Sequence, residues 1–123
     1  MTKIINWKTK ETIIEDNYST IKELAKRAVE EEISLAYANL RGANLEGAFL
    51  DGANLYKADL YKANLEGANL KNACLQEADL RGAYLKGAEL YEAFLRGAYL
   101  ENNDIKGNER LEGLLKALGF KII

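Results

Sequence analysis

Residues 58–82 read Ala58-Asp59-Leu60-Tyr61-Lys62, Ala63-Asn64-Leu65-Glu66-Gly67, Ala68-Asn69-Leu70-Lys71-Asn72, Ala73-Cys74-Leu75-Gln76-Glu77, Ala78-Asp79-Leu80-Arg81-Gly82. The period is five, and it extends far to either side. Leu occupies every fifth position from Leu35 to Leu100, fourteen in all, and Ile105 continues the series. Ala stands two residues before Leu thirteen times, from Ala38 to Ala98, with Ile33 and Asn103 in its place at the ends. Fifteen units of the form A-x-L-x-x therefore fill residues 33–107, and self-similarity of this kind outranks any local reading of helix or strand.

A period of five suits neither regular structure. Five residues advance a helix by about 500°, so successive Leu drift by about 140° and form no stripe. In a strand of period two, successive Leu fall on opposite faces. Both conflicts vanish if the chain turns a corner in every unit, with Ala and Leu pointing to one interior and the other residues pointing outward. Gly takes the second place after the central Leu or Ile in eight units, as at Gly42, Gly67, Gly82 and Gly97, where a turn with φ > 0 suits it. Lys57, Lys62, Glu77 and Glu92 hold the same place elsewhere, and turns that do not demand φ > 0 are expected there. Asn or Asp precedes the central Leu or Ile in eight units, consistent with side chains that bond to the local turn backbone. Pro is absent, as a continuous amide ladder prefers.

Ala58-Asp59-Leu60, Ala63-Asn64-Leu65 and Ala78-Asp79-Leu80 resemble the A-[DN]-L-x-x signature of the pentapeptide repeat family. The resemblance covers residues 33–107. It implies an all-β solenoid, a right-handed quadrilateral β-helix with four units per coil and with Leu and the preceding Ala inside. At about 4.8 Å per coil the fifteen units make a rod of roughly 18 Å. Some members of this family protect DNA gyrase or topoisomerase IV from quinolones by imitating duplex DNA, so a DNA-mimicking inhibitor or protector of a type II topoisomerase is the rival function.

The ends of a solenoid expose apolar cross-section and open amides, so residues 1–32 and 108–123 read as caps. Lys3 to Trp7 and Glu11 to Glu15 form an expected β-hairpin around Lys8-Thr9-Lys10. Thr20 with Glu23 makes a capping box for a helix reaching about Glu32, with Ile21, Leu24, Ala25, Ala28 and Val29 on one face. Asn108 is expected to cap a helix from Glu109 to Leu118 bearing Leu111, Leu114, Leu115 and Leu118, with Gly119 as its stop and Phe120 to Ile123 as an apolar tail. This helix and tail carry more apolar surface than one coil end can hide, which predicts a homodimer through them.

The 123 residues carry 17 Lys and Arg against 19 Asp and Glu, a formal charge of -2 that supplies no basic field for nucleic acid. With no His and a single Cys74, His-based triads, His metal ligands, Cys clusters and an internal disulfide are excluded. No stretch approaches the roughly 18 apolar residues of a membrane span, and the start of the chain lacks a signal-peptide core, so the cytoplasm is the expected compartment. No catalytic, cofactor-binding or metal residue is assigned, because a convex rod offers no shared cleft for carboxylates such as Asp59 and Asp79.

Three outer features remain. Phe49, Tyr56, Tyr61, Tyr84, Tyr91, Phe94 and Tyr99 point outward, where β-surfaces favour aromatics. Arg41, Tyr61, Arg81 and Glu101 should stack as one ladder with cation-π contacts. Cys74 lies between Asn54 and Phe94 with no cation to activate it. The repeats carry eight cations against ten anions, and the ladder Glu46, Glu66, Lys86, Lys106 changes sign midway. A duplex mimic needs an outer wall dominated by carboxylates, so the expected function is a non-enzymatic structural or protein-interaction module.

Overall fold

A computed structural model describes residues 1–17, 19–101, 108, 111–113 and 115. From Asn39 to Tyr99 the chain pairs with itself through single parallel bridges between residues 20 apart, for example Asn39 with Asp59, Asp59 with Asp79, and Asp79 with Tyr99. Twenty residues are four five-residue units, so each coil has four short sides. One bridge per side is all that two extended residues between corners can form.

The unit Ala63 to Gly67 shows why the pattern is self-consistent, because each of its five backbone N–H groups has a partner. The Asn64 N–H donates back one coil to the Ala43 carbonyl at 2.9 Å, while the Leu65 and Gly67 N–H groups donate forward to Tyr84 and Lys86, each at 2.9 Å. The Ala63 N–H closes the preceding turn on the Leu60 carbonyl at 2.9 Å. The Glu66 N–H, which no coil can reach, donates to the Asn64 side-chain oxygen at 3.0 Å. Asn39, Asn44, Asn54, Asp59, Asn69 and Asp79 accept in the same way from the residue two positions on. The expected local role of Asn and Asp is therefore a complete amide account. Asp104, with the units beyond residue 101, lies outside the described residues.

The interior is the Ala and Leu of the repeats. Leu40 to Leu85 and Ala48 to Ala83 are buried along the rod, and Leu65 and Leu70 are 0% exposed. Toward the last coil burial loosens: Leu90 and Leu100 are only partly buried.

One expectation fails at the corners. Lys57, Lys62, Glu77 and Glu92 have φ of 54°, 57°, 57° and 57°, in the same left-handed region as the glycines. The reason is register. The N–H at this position must reach the next coil, as from Lys62 to the Arg81 carbonyl at 2.9 Å, and that demand fixes the turn whatever the side chain. Spacing between coils adds a second constraint at Gly97, where φ is +76° and a Cβ would lie 2.9 Å from Glu77 Cγ on the coil below. At Gly67, with φ of +68°, a Cβ would meet nothing within 4 Å. Left-handed strain of about 1 to 2 kcal/mol is expected for Ala at either site. Gly97→Ala should lose more stability than Gly67→Ala in urea unfolding, and equal midpoints would contradict the stacking.

The N-terminal residues form β1, Thr2–Ile5, and β2, Thr12–Asp16, paired antiparallel. The hairpin is the expected one; β1 ends at Ile5, and Asn6, whose N–H still donates across the hairpin to the Glu11 carbonyl at 2.8 Å, also joins the first coil together with Trp7. Asn6 bridges Ala38, the Asn39 N–H donates to the Ile5 carbonyl at 2.7 Å, and the Trp7 N–H donates to Tyr37 at 2.9 Å. Helix α1 runs Ile21–Glu30 with Thr20 as N-cap accepting from the Glu23 N–H at 3.1 Å. It stops where Glu32 takes φ of 57° and the Ile33 N–H donates to Ala28 at 2.7 Å, a left-handed C-terminal turn made without glycine. Ile4, Ile14, Leu24, Ala25 and Ala28 join the repeat Leu and Ala in one core.

At the other end Asn108 is buried, and Leu111 to Gly113 and Leu115 are helical. The Asn108 side-chain oxygen accepts from the Leu111 N–H at 3.1 Å, as the sequence led one to expect. Its amide also donates to the Leu85 and Ala88 carbonyls of the last coil at 2.9 and 2.8 Å. Leu111 and Leu115 are buried in the same core. The expected positions Glu109, Leu114, Leu118, Gly119 and the tail lie outside the described residues.

Candidate functional site

On the side of the rod carrying Asn39, Asp59, Asp79 and Tyr99, the short Asp side chains lie flat because each accepts a backbone N–H two residues on. Longer neighbours stand up beside them. Arg41 Nε donates to Asp59 at 3.2 Å, and Arg81 grips Asp79 through Nε at 2.8 Å and a terminal nitrogen at 2.6 Å. Tyr61 sits between the two guanidinium groups, 4.5 Å from Arg41 and 5.4 Å from Arg81, so the expected cation-π ladder is present. The Arg81 hydrogen bonds hold the Asp79 carboxyl below the usual carboxylate range, against a smaller opposing effect of burial. Asp79 is thus an ion at neutral pH, and both Asp residues are engaged with Arg partners. Asp79 therefore has no proton to give.

The absence of a cleft is a second expectation that needs correcting. A groove of about 580 Å³ runs over this side, floored by Ala58, Asp59 and Asp79 and flanked by Lys57, Glu77 and Arg81. Trp7 closes one end and Tyr99 the other. A bare rod would be convex; Trp7 makes the difference, because its indole N–H donates to the Lys57 carbonyl at 2.7 Å and holds the ring over the first coils. Trp7 also packs at 5.4 Å on Tyr37, which meets Tyr56 edge-on at 5.9 Å. The Tyr56 hydroxyl donates to Glu77 at 2.9 Å, and this bond, first among its causes, pushes the phenol pKa up. Among the described residues no group of three His, Cys, Asp or Glu could hold a metal ion.

The other outer features divide. Tyr56 and Tyr61 are half-buried beneath cations, while Phe49, Tyr84, Tyr91, Phe94 and Tyr99 are exposed. The last four belong to the final described coil and fall on different sides of it, forming an aromatic collar where Asn and Asp have given way at positions 84, 94 and 99. Cys74 bridges Asn54 and Phe94, as its spacing implied, and is partly buried. Glu46 and Glu66 are exposed, and Glu66 is followed on its ladder by exposed Lys86.

The model of the family "Pentapeptide repeats (8 copies)" matches residues 33–72 and 63–102, more than half of the chain. The chain belongs to the pentapeptide repeat family. Two crystal structures of pentapeptide repeat proteins are similar to it. One, from the cyanobacterium Cyanothece 51142, is 44% identical with a TM-score of 0.56, covering 58% of this chain and 49% of that one. Another, from the Arabidopsis thaliana thylakoid lumen, is 33% identical with a TM-score of 0.56, covering 57% of this chain and 48% of that one. The chain thus spans about half the length of each. None of the curated proteins matches it significantly. Membership and these neighbours make the solenoid a right-handed β-helix. Among the described residues no helix is long and apolar enough to cross a membrane.

For this pentapeptide repeat protein, sequence reasoning brought Arg41, Tyr61 and Arg81 together and stacked Asp59 on Asp79. It missed the groove, because the wall residue Trp7 lies 50 positions from its partner Lys57 and outside the repeat. The available signal was an isolated Trp in a polar segment, Asn6-Trp7-Lys8, which a hairpin turn does not require.

Proposed function

We propose that the chain is a non-enzymatic structural or protein-interaction module, a quadrilateral solenoid at residues 33–107 capped by residues 1–32 and 108–123, acting in the cytoplasm. The mixed charge of the outer wall carries this reading. Its cations and anions are interspersed, and some pair directly, as in Arg41 with Asp59 at 3.2 Å, Lys71 with Glu89 at 3.3 Å and Arg81 with Asp79 at 2.6 Å. Such a wall presents the alternating donors, acceptors and aromatic faces that suit a protein partner. The rival, a DNA-mimicking inhibitor or protector of gyrase, needs a wall of uncompensated carboxylates, and direct binding of nucleic acid needs a basic one. No catalytic residue or cofactor is assigned. Affinity capture from the native host tests the reading, with Leu65→Lys as an unfolded control. A protein retained by the folded chain and lost from the control supports it; no difference between the two overturns it.

The aromatic collar favours self-association at the same end, a homodimer through residues 111–123 together with Tyr84, Tyr91, Phe94 and Tyr99. Leu111 and Leu115 are already committed to the last coil, so the collar and the part-buried Leu90 and Leu100 supply the remaining apolar surface. Light scattering at tens of micromolar should give twice the chain mass for the intact protein. A monomer sinks the dimer, and a dimer that survives truncation after Leu118 removes the tail from its interface.

A further inference from the structure

The cations of the first coils are already placed on aromatic rings: Lys26 over Phe49, Lys8 and Lys57 over Tyr37, Lys57 over Tyr56, and Arg41 and Arg81 over Tyr61. Trp7 and Tyr99 differ. Each closes one end of the groove, their exposures are 38% and 60%, and among the described residues no Lys or Arg lies over either ring. Between them the charges are unequally satisfied. Asp59 is held by Arg41, Asp79 by Arg81, and Lys57 rests on its two tyrosines. Glu77 is exposed and bonds only to the neutral Tyr56 hydroxyl, so its charge has no cationic partner among the described residues. The groove therefore offers the exposed ring of Tyr99, the part of Trp7 not packed on Tyr37, and one carboxylate without a cationic partner among the described residues. An anionic ligand would meet three carboxylates in it, and a neutral one would leave Glu77 unpaired.

We propose that this groove docks an extended, arginine-bearing segment of a protein partner, with a guanidinium stacked on Trp7 or Tyr99 and hydrogen-bonded to Glu77. Arginine fits better than lysine because a planar fork can stack on a ring and bond a carboxylate at once. Length agrees as well. Asp59 to Tyr99 spans two coils, about 10 Å at the usual strand spacing, which about three extended residues cover. Trp, Tyr and Arg, which meet here as Trp7, Tyr99 and Arg81, are also the residue types that dominate binding at protein interfaces.

The proposal rests on the interaction-module reading and is tested on the intact chain. Trp7 is the only Trp, so its emission reports occupancy of the groove directly. The probe is a glycine-serine heptapeptide with arginines at its third and fifth positions, compared with the same peptide carrying glutamine or glutamate there. We expect a saturable change in Trp7 emission with the arginine peptide at a Kd of about 1 mM, and about tenfold weaker binding for Glu77→Gln and for Tyr99→Ala. Glu66→Gln, on another side of the rod, should bind as wild type. Circular dichroism confirms that each variant keeps the wild-type fold, and Glu77→Asp, which keeps the charge, should retain more binding than Glu77→Gln. No saturable response, an equal response to the glutamine peptide, or unchanged binding in Glu77→Gln overturns the proposal. The module reading fails separately: capture of a host protein that Glu77→Gln and Tyr99→Ala retain equally removes the groove and leaves the module, whereas no capture by the wild type removes the module.

Discussion

Leu65→Ala should lower stability by about 2 to 5 kcal/mol, while Glu66→Ala, one residue away, should be almost silent. Leu65 is 0% exposed, and its backbone is pinned forward to Tyr84 at 2.9 Å, so the coil cannot close around the lost methyls without breaking stacked amides. Glu66 points outward, and the Asn64 side chain accepts from its N–H, a bond that any residue other than Pro preserves. Urea unfolding of the two variants checks the contrast. Equal midpoints would mean that the interior and exterior of the solenoid are wrongly assigned.

Asn108→Ala should cost about 2 to 3 kcal/mol, because one side chain serves three backbone groups in a buried place. Its loss uncaps Leu111, takes the Asn108 donor from the Ala88 carbonyl and leaves the Leu85 carbonyl with only the Ala88 N–H at 3.1 Å. Asn108→Asp separates the two roles. It keeps an acceptor for the Leu111 N–H but sets a carboxylate against two carbonyl oxygens. Asp should therefore do no better than Ala in thermal unfolding. Recovery of stability by Asp would show that the cap matters and the clamp onto the last coil does not.

The inward set was legible because burial of Ala and Leu is a property of the unit, repeated along the chain with one chemistry. The same holds for Asn64 and its relatives, whose bonds close within three residues. Lys62 and Glu77 were misread for the opposite reason: their positive φ is imposed by a hydrogen bond to a residue 19 positions on, and nothing in the local pair of residues records it. The groove was hidden in the same sense, since Trp7, Lys57 and Tyr99 meet only after the hairpin has docked and the coils have stacked. At Asn108 the helix cap could be read from local spacing, but the two bonds to the last coil could not.

Whether the outer wall works as a mixed-sign protein surface or as an imitation of duplex DNA is decided most directly by a gyrase supercoiling assay. The wall of this protein pairs Arg41, Lys71 and Arg81 with Asp59, Glu89 and Asp79, and among the described residues it has no continuous acidic face of the kind a basic DNA channel would bind. At low micromolar protein the mixed wall predicts unchanged supercoiling and no rescue of the enzyme from a quinolone. Potent inhibition that weakens as salt is added would contradict it.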